Sequence, residues 1–366
     1  MIYLDYQATT PVAPEVAEAM RPWIEDKFAN PHSPSTAGRE AAAAIEVARA
    51  KVASMLPQGG RIVFTSGATE ALNWAIKGSG TGDIVTIATE HAAVLDSVGA
   101  IRSTDNEASI LPVGRDGIVD LGAASQAIVP GVGLVAAMLV NNEIGVIQPI
   151  TELGKLAHFV GGVLLCDVVQ GFGRIEIPDC CDLISVSAHK IHGPKGVGAL
   201  WIRDGIDPPE PLLHGGGQEQ GLRSGTLSPA LCVGFGVAAK LAAERRDADH
   251  QHVERLWQAA IETLGGRWTI NGSAVHRYHG NLNIRREGLD ATRLIADLRD
   301  VAFSLGSACA SGSGRPSHVL RALGLSDREA RSSIRIGFGR YTTKAELIDA
   351  LTRIDAAARA QENLAA

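Results

Sequence analysis

The chain has 366 residues, 45% hydrophobic and 20% charged, with 34 Lys+Arg against 40 Asp+Glu. That length suggests about two domains of ~150 residues, and the composition is globular, which excludes a disordered chain and removes any need for a disulfide or metal staple. The net charge of −6 argues against a nucleic-acid surface.

Five cysteines, Cys166, Cys180, Cys181, Cys232 and Cys309, are too few for a disulfide framework and show no C-x-x-C spacing. They fit a reducing compartment in which most thiols are buried. The opening Met1-Ile2-Tyr3-Leu4-Asp5-Tyr6 has no basic stretch before a long apolar run, so no signal peptide is expected. The longest apolar run, residues 132–140, is too short for a membrane span and reads as a buried strand. A cytoplasmic protein with no membrane and no direct nucleic-acid partner is the expectation.

In chain order, residues 38–56 present a wide apolar face and predict a helix ended by Pro57 and Gly59-Gly60. Strand-like runs follow at 61–64, 83–87, 132–140, 163–166, 183–186 and 198–202. They alternate with helical stretches at 69–77, 93–101, 121–128 and 150–159. Continuous β-branched runs alternating with helices predict an α/β fold, a mostly parallel central sheet covered on both faces. Beyond Pro229 the texture changes. Helices are predicted at 229–246 and 250–264, then a strand at 281–284 and a helix at 291–298. A Gly/Ser-rich loop at 306–314, a strand at 331–338 and a last helix at 344–360 complete the chain. This part reads as a smaller α+β domain.

Three features bear on chemistry. Ser187-Ala188-His189-Lys190 places a lysine just after an apolar strand, where open α/β sheets bind ligands. Such a lysine is either a solvated charge or a functional amine, and a Schiff-base lysine needs a desolvated or cationic setting to lower its pKa. Asp167 ends the run Val163-Leu164-Leu165-Cys166, where it is either an ordinary helix-cap or loop carboxylate or a group facing the same crevice; pyridoxal phosphate uses an acidic partner at its pyridinium nitrogen. Ser66-Gly67-Ala68-Thr69-Glu70 joins a strand to a helix N-terminus, which either caps that helix or holds a phosphate. No metal site is expected.

Near the C-terminus, alternation over 331–338 puts Ile334, Ile336 and Phe338 on one face and Arg331, Ser333 and Arg335 on the other. A guanidinium at Arg335 can grip a carboxylate with two parallel hydrogen bonds, or form an ordinary salt bridge. Cys309 sits among small and polar residues, Ser307-Ala308-Cys309-Ala310-Ser311-Gly312, unlike the other four cysteines. In exposed loop surroundings a thiolate is a good nucleophile.

Together these stretches resemble the cysteine desulfurases of the class-V aminotransferase family, pyridoxal-phosphate enzymes. The resemblance spans nearly the whole chain in order. It runs through Tyr3-Leu4-Asp5 with Ala8-Thr9-Thr10, Phe64 to Ala71, Thr89-Glu90-His91, Val140 to Gly145 and Ser187 to Lys190. It continues through His214 to Gly217 with Arg223 to Thr226, Gly306 to Cys309, and Ser333-Ile334-Arg335. Tyr6-Gln7 stands where the family usually has Asn-Asn.

The resemblance implies fold type I, with residues 14–246 as the large cofactor-binding domain. Residues 1–13 and 247–366 would form the small domain carrying Cys309 and Arg335. It implies pyridoxal 5'-phosphate held covalently by Lys190, with Asp167 on the ring nitrogen, Gln170 on the phenolic oxygen and His91 stacked on the ring. Ala68, Thr69, Ser187 and His189 would hold the phosphate, joined by Thr226 from the other subunit of a homodimer. Asn142 and Arg335 would bind the carboxylate of L-cysteine, and Asn142 would also lie at the cofactor. Cys309 would take the sulfur as a persulfide, leaving L-alanine. A sulfur-acceptor or scaffold protein would follow, in iron–sulfur cluster assembly or in tRNA or cofactor thiolation. Selenocysteine lyase, or another class-V enzyme, is the alternative.

Overall fold

The computed structural model describes residues 1–80, 82–101, 107–306 and 317–365. The first half alternates strands and helices. The order is β1 (Ile2–Tyr3), α1 (Pro14–Glu25), α2 (Thr36–Ala53), β2 (Gly60–Thr65), α3 (Ala68–Lys77), β3 (Asp83–Ile87), α4 (Ala92–Ile101), β4 (Ala108–Leu111), α5 (Leu121–Ala127), β5 (Val132–Met138), α6 (Ile150–Phe159), β6 (Val163–Asp167), β7 (Leu183–Ser187) and β8 (Gly198–Arg203). The second half holds α7 (Pro229–Leu264), β9 (Thr269–Ile270), β10 (Asn281–Arg285), α8 (Ala291–Asp297), β11 (Val301–Ala302), β12 (Ser304–Leu305), α9 (His318–Ala322), α10 (Asp327–Arg331), β13 (Ser333–Gly337) and α11 (Lys344–Ala365).

Seven strands form the central sheet in the order β2-β8-β7-β6-β5-β3-β4. Pairings from β4 through β7 are parallel, and β8 runs antiparallel to both of its neighbours. Because β8 alone is reversed, β2 and β3–β7 all point their carboxyl ends to one edge. Period-two alternation splits the strand side chains between two layers. Leu134, Leu165, Leu183 and Leu200 pack with Leu72, Trp74 and Val94 of α3 and α4. Val135, Cys166, Ile184 and Trp201 pack on the other face with Ile45, Leu153 and Phe235 of α2, α6 and α7. Each such buried side chain contributes about 1.5–3 kcal/mol. Cys166, Cys181 and Cys232 are buried free thiols, and Cys180 is partly buried.

A second, antiparallel sheet has the order β12-β13-β10-β9, and a short parallel pair, β1-β11, ties the N-terminus to that end of the molecule. Leu4 accordingly belongs to the apolar cluster of Leu282, Ile284, Ile334, Ile336 and Leu351.

Several boundaries differ from the sequence expectation. The two helices expected at 229–246 and 250–264 are one helix, α7, of 36 residues. Between them the chain contains no Gly or Pro to break the ladder, and Asp249 is anchored by Arg340 at 2.7 Å. Pro229 and the Ser228 cap start this helix, and Gly265 in the left-handed region ends it. A boundary at 246 falls inside α7, whose first half packs against the large sheet and whose second half packs against the small one. The strand expected from 331 begins at Ser333. Ser326 and Glu329 form a capping box that starts α10, and Arg331 ends that helix instead of sharing a strand face with Arg335.

Candidate active site

Lys190 reaches its position through a sharp change of direction. β7 ends at Ser187 and a single 3-10 turn, Ala188–Lys190, follows. The chain then folds back, with Gly193 N–H donating to Ala188 O at 2.9 Å and His192 at φ 68°. The turn sends the Lys190 side chain across to the N-terminal segment, where Nζ donates to Gln7 O at 2.5 Å and Ala8 O at 2.8 Å. Thr10 fastens that segment to the turn, its N–H and Oγ1 both donating to His189 O at 3.0 and 2.8 Å.

A cavity of about 530 Å³ opens at this edge of the sheet. Of the residues singled out in the sequence, Ala68, Thr69, His91, Asn142, Asp167, Gln170, Ser187, His189, Lys190 and Arg335 line it. Their origins explain the convergence. Asp167 and Ser187 end adjacent parallel strands. Ala68 and Thr69 open α3 just after β2, so the first-turn N–H groups without intrahelical partners lie at the rim. Arg335 comes from the small sheet, where β13 lies between β12 and β10. Thr226 is exposed and stands apart from this lining. Cys309 lies outside the described residues.

The cavity's electrostatics follow from burial and from charges close together. Burial, helped by the Arg335 and Arg174 cations, lowers the Lys190 amine from 10.5 to about 7. Burial raises Asp167 from 3.8 to about 6, opposed by the Val169 N–H bond to Oδ1 at 2.9 Å and by the Lys190 charge. His189 is pushed down to about 4 by burial and by Lys190 and Lys195, so it is neutral at physiological pH; its Nδ1 lies 3.1 Å from Thr9 Oγ1. Burial and Lys190 also lower His91. Its Nδ1 accepts the Ala93 N–H at 3.0 Å, which assigns the ring proton to Nε2.

Gln170 and Arg335 are oriented by specific partners. Gln170 Nε2 donates to Gln7 O at 2.9 Å while its Oε1 accepts from Arg174 Nη1 at 2.7 Å, which fixes the amide's orientation. Arg335 is fully buried; Nη1 donates to Asn142 O at 3.0 Å and Nη2 to Asp5 Oδ1 at 2.7 Å. Its Nε is buried with no hydrogen-bond partner among the described residues.

The family model described as aminotransferase class-V matches residues 2–351. A cysteine desulfurase IscS from Rickettsia bellii is 43% identical over 364 residues, covering 94% of this chain and 88% of the relative. The chain belongs to the class-V aminotransferase family, in its cysteine desulfurase branch. The Rickettsia rickettsii IscS matches to the same extent, at 43% identity. Among solved structures, a NifS-like protein superposes with a TM-score of 0.90 at 32% identity, covering 97% of this chain and 98% of its own. The structure of SspA in complex with cysteine gives a TM-score of 0.82 at 36% identity, covering 94% of this chain and 100% of its own. The family's α/β architecture with a mostly parallel central sheet, fold type I, is the one expected from the sequence.

The family motifs drew attention to side chains at the cavity and passed over what holds them. The carbonyls of Gln7 and Ala8 carry no side-chain signature. Arg174, four residues beyond Gln170, had a signal in that spacing, since such a pair can meet along a helical turn. Glu90, inside Thr89-Glu90-His91, is fully buried and accepts the Met138 N–H at 2.7 Å beside Asp167.

Proposed function

We infer that the chain is a pyridoxal 5'-phosphate-dependent cysteine desulfurase that converts L-cysteine to L-alanine and passes the sulfur to Cys309. The observation that carries this reading is Lys190: an amine lowered to about 7, in one cavity with a buried carboxylate and a fully buried guanidinium. This donor set fits the cofactor. Lys190, as a neutral amine, would hold it covalently, the carboxylate of Asp167 would pair with its ring nitrogen, and the α3 N-terminus at Ala68 and Thr69 would take its phosphate. Ser187 and His189 would join the phosphate contacts, Gln170 would donate to the phenolic oxygen, and His91 would cover the ring. Thr226, exposed on one subunit, would reach the phosphate of the other in a homodimer.

The cofactor supplies an electron sink for negative charge formed at the substrate's α-carbon. Arg335 grips the substrate carboxylate together with Asn142, which sets the α-hydrogen toward Lys190 Nζ. Lys190, as a neutral amine, would take that proton, and His91 would assist proton transfers nearby. The Cys309 thiolate attacks the substrate sulfur. The S–S bond forms as the Cβ–S bond breaks, the electron pair stays with the carbon fragment, and protonation there completes L-alanine. L-cysteine and one thiol thus give L-alanine and one persulfide. The persulfide then serves an acceptor or scaffold protein, in iron–sulfur cluster assembly or in tRNA or cofactor thiolation, within the cytoplasm.

The test is purified protein loaded with cofactor and given L-cysteine, with alanine, sulfide and protein persulfide measured. Alanine formation with persulfide on Cys309 is expected, and its loss in Cys309→Ala. Stoichiometric alanine and persulfide in Cys309→Ala would overturn that role, and an unchanged visible spectrum in Lys190→Ala would overturn the role of Lys190. L-selenocysteine run in parallel decides between desulfurase and selenocysteine lyase.

A further inference from the structure

We propose that Asp5 is a positioning residue for substrate binding, holding Arg335 from behind so that the guanidinium faces the carboxylate of the amino-acid substrate. The inference rests on the reading of Arg335 given above and extends it to a residue with no assigned role.

The geometry is specific. Asp5 accepts from Arg335 Nη2 at 2.7 Å on Oδ1 and from Ser304 Oγ at 2.8 Å on Oδ2. Ser304 Oγ is itself 3.3 Å from Nη2, which closes a small ring of hydrogen bonds. Ser304 is the direct cross-strand partner of Arg335 in the β12–β13 pair. Asp5 is set by its backbone too: it forms a parallel bridge to Gly337, two residues beyond Arg335, and its carbonyl accepts the N–H groups of Ala8 at 3.0 Å and Thr9 at 3.3 Å. The segment that carries Asp5 is therefore the one whose Gln7 and Ala8 carbonyls receive Lys190.

Which side Asp5 occupies decides whether it helps or competes. Arg335 lines the cavity and Asp5 does not. The Asp5 contact is on Nη2, while Nε remains without a partner among the described residues. A buried cation with no counter-charge is costly and would move or draw in water. Asp5 supplies that counter-charge from outside the cavity and leaves donors for the substrate. A charge-assisted pair also restricts the rotamers of a long side chain, so the substrate meets a preorganised group. The same carboxylate opposes the effect of Arg335 on the Lys190 amine, since Arg335 lowers it and Asp5 raises it.

The experiment compares Asp5→Asn, Asp5→Glu, Ser304→Ala and Arg335→Gln in the cofactor-loaded enzyme. The readouts are KM and kcat for L-cysteine and, in the cofactor-free chain, the pH midpoint for chemical modification of Lys190. For Asp5→Asn the expected result is a KM about tenfold higher, the loss falling on KM more than on kcat, together with a lower Lys190 midpoint. A role in folding alone would not move that midpoint. Asp5→Glu restores part of both. If Asp5→Asn does not fold, Ser304→Ala carries the test, with KM about twofold to threefold higher. An unchanged KM in Asp5→Asn or Ser304→Ala, with KM raised in Arg335→Gln, overturns the proposal. An unchanged KM in Arg335→Gln overturns the underlying reading of Arg335, and the proposal with it.

Discussion

The Nζ of Lys190 lies 2.8 Å from the carbonyl oxygen of Ala8, and Gln7 O is at 2.5 Å. Two main-chain carbonyls favour the ammonium form, yet burial and the cations of Arg335 and Arg174 prevail and bring the amine from 10.5 to about 7. In the cofactor-free chain, modification of Lys190 by an amine-directed reagent is therefore expected to rise between about pH 6 and pH 8 and then level off. Arg335→Gln removes a lowering charge and should move the midpoint up. A midpoint near that of free lysine, measured by mass spectrometry of the labelled peptide, would refute the assignment. The linkage has a definite sign. A lysine depressed in the folded state costs stability below about 7, and the cost is relieved as pH rises toward 10.5. Lys190→Met should thus raise the melting temperature more at about pH 6 than at about pH 9.

Arg174 sets which atom Gln170 turns to the cavity. Its Nη1 donates to Gln170 Oε1 at 2.7 Å, its Nη2 donates to Lys190 O at 2.7 Å, and its guanidinium lies 5.2 Å from the Tyr278 ring centroid. With Oε1 engaged and Nε2 already bonded to Gln7 O, the remaining amide hydrogen of Nε2 is the group left for a ligand. Arg174→Met should free the amide to flip and weaken cofactor binding by about tenfold, a cost of about 1.4 kcal/mol. Arg174→Lys should recover little, because a point charge cannot span both acceptors. Equilibrium titration of the apoprotein with cofactor checks this, and equal affinity in wild type and Arg174→Met would count against it.

What could be read along the chain depended on range. Asp167 and Lys190 stand at strand ends, and continuous apolar runs made those strands visible, so their convergence followed from α/β topology. The partners that orient them did not show. Asp5 and Arg335 are far apart in sequence and on different elements, and pairing across such distance leaves no local periodicity. Backbone acceptors such as Gln7 O carry no residue preference at all. The gap at 247–249 between two expected helices holds Asp249, which pairs with Arg245 one turn back and with Arg340 outside the helix, inside an unbroken α7. The helix that Ser326 starts runs on to Arg331, into the first residue of what alternation alone presented as a strand.

Gly198 permits the close approach of β8 to the start of α3. A Cβ there would lie 2.6 Å from Val186 O and 2.7 Å from Gly67 Cα, both backbone atoms with little room to shift. Gly198→Ala should destabilise the protein by about 1–3 kcal/mol and displace the α3 N-terminus at the cavity rim. Gly99, inside α4, is the contrast: a Cβ there meets nothing within 4 Å among the described residues. Gly99→Ala should be neutral or stabilise by up to about 1 kcal/mol through helix propensity. Urea denaturation of both variants checks the pair, and equal effects would argue against a close-packed β8–α3 junction.

Glu90 lies under the site as a fully buried carboxyl. Its Oε1 accepts the Met138 N–H at 2.7 Å, and Oε2 has no partner among the described residues. Burial raises its pKa well above 4.5, the Met138 N–H opposes the rise, and the neighbouring Asp167 charge adds to it. The sign follows from proton binding. Between the unfolded value and the raised folded value the native chain holds a proton that the unfolded chain has lost. Stability from this group is therefore present below the ordinary carboxylate range and declines as pH rises above it. Glu90→Gln keeps an acceptor for Met138 and cannot ionise, so the drop in melting temperature from about pH 5 to about pH 8 should be smaller than in wild type. Glu90→Ala loses the acceptor and should cost about 1–3 kcal/mol at either pH, since the Met138 N–H is left buried. Thermal denaturation of the three proteins across that range decides it; an equally steep decline in Glu90→Gln would show that Glu90 is ionised in the folded chain.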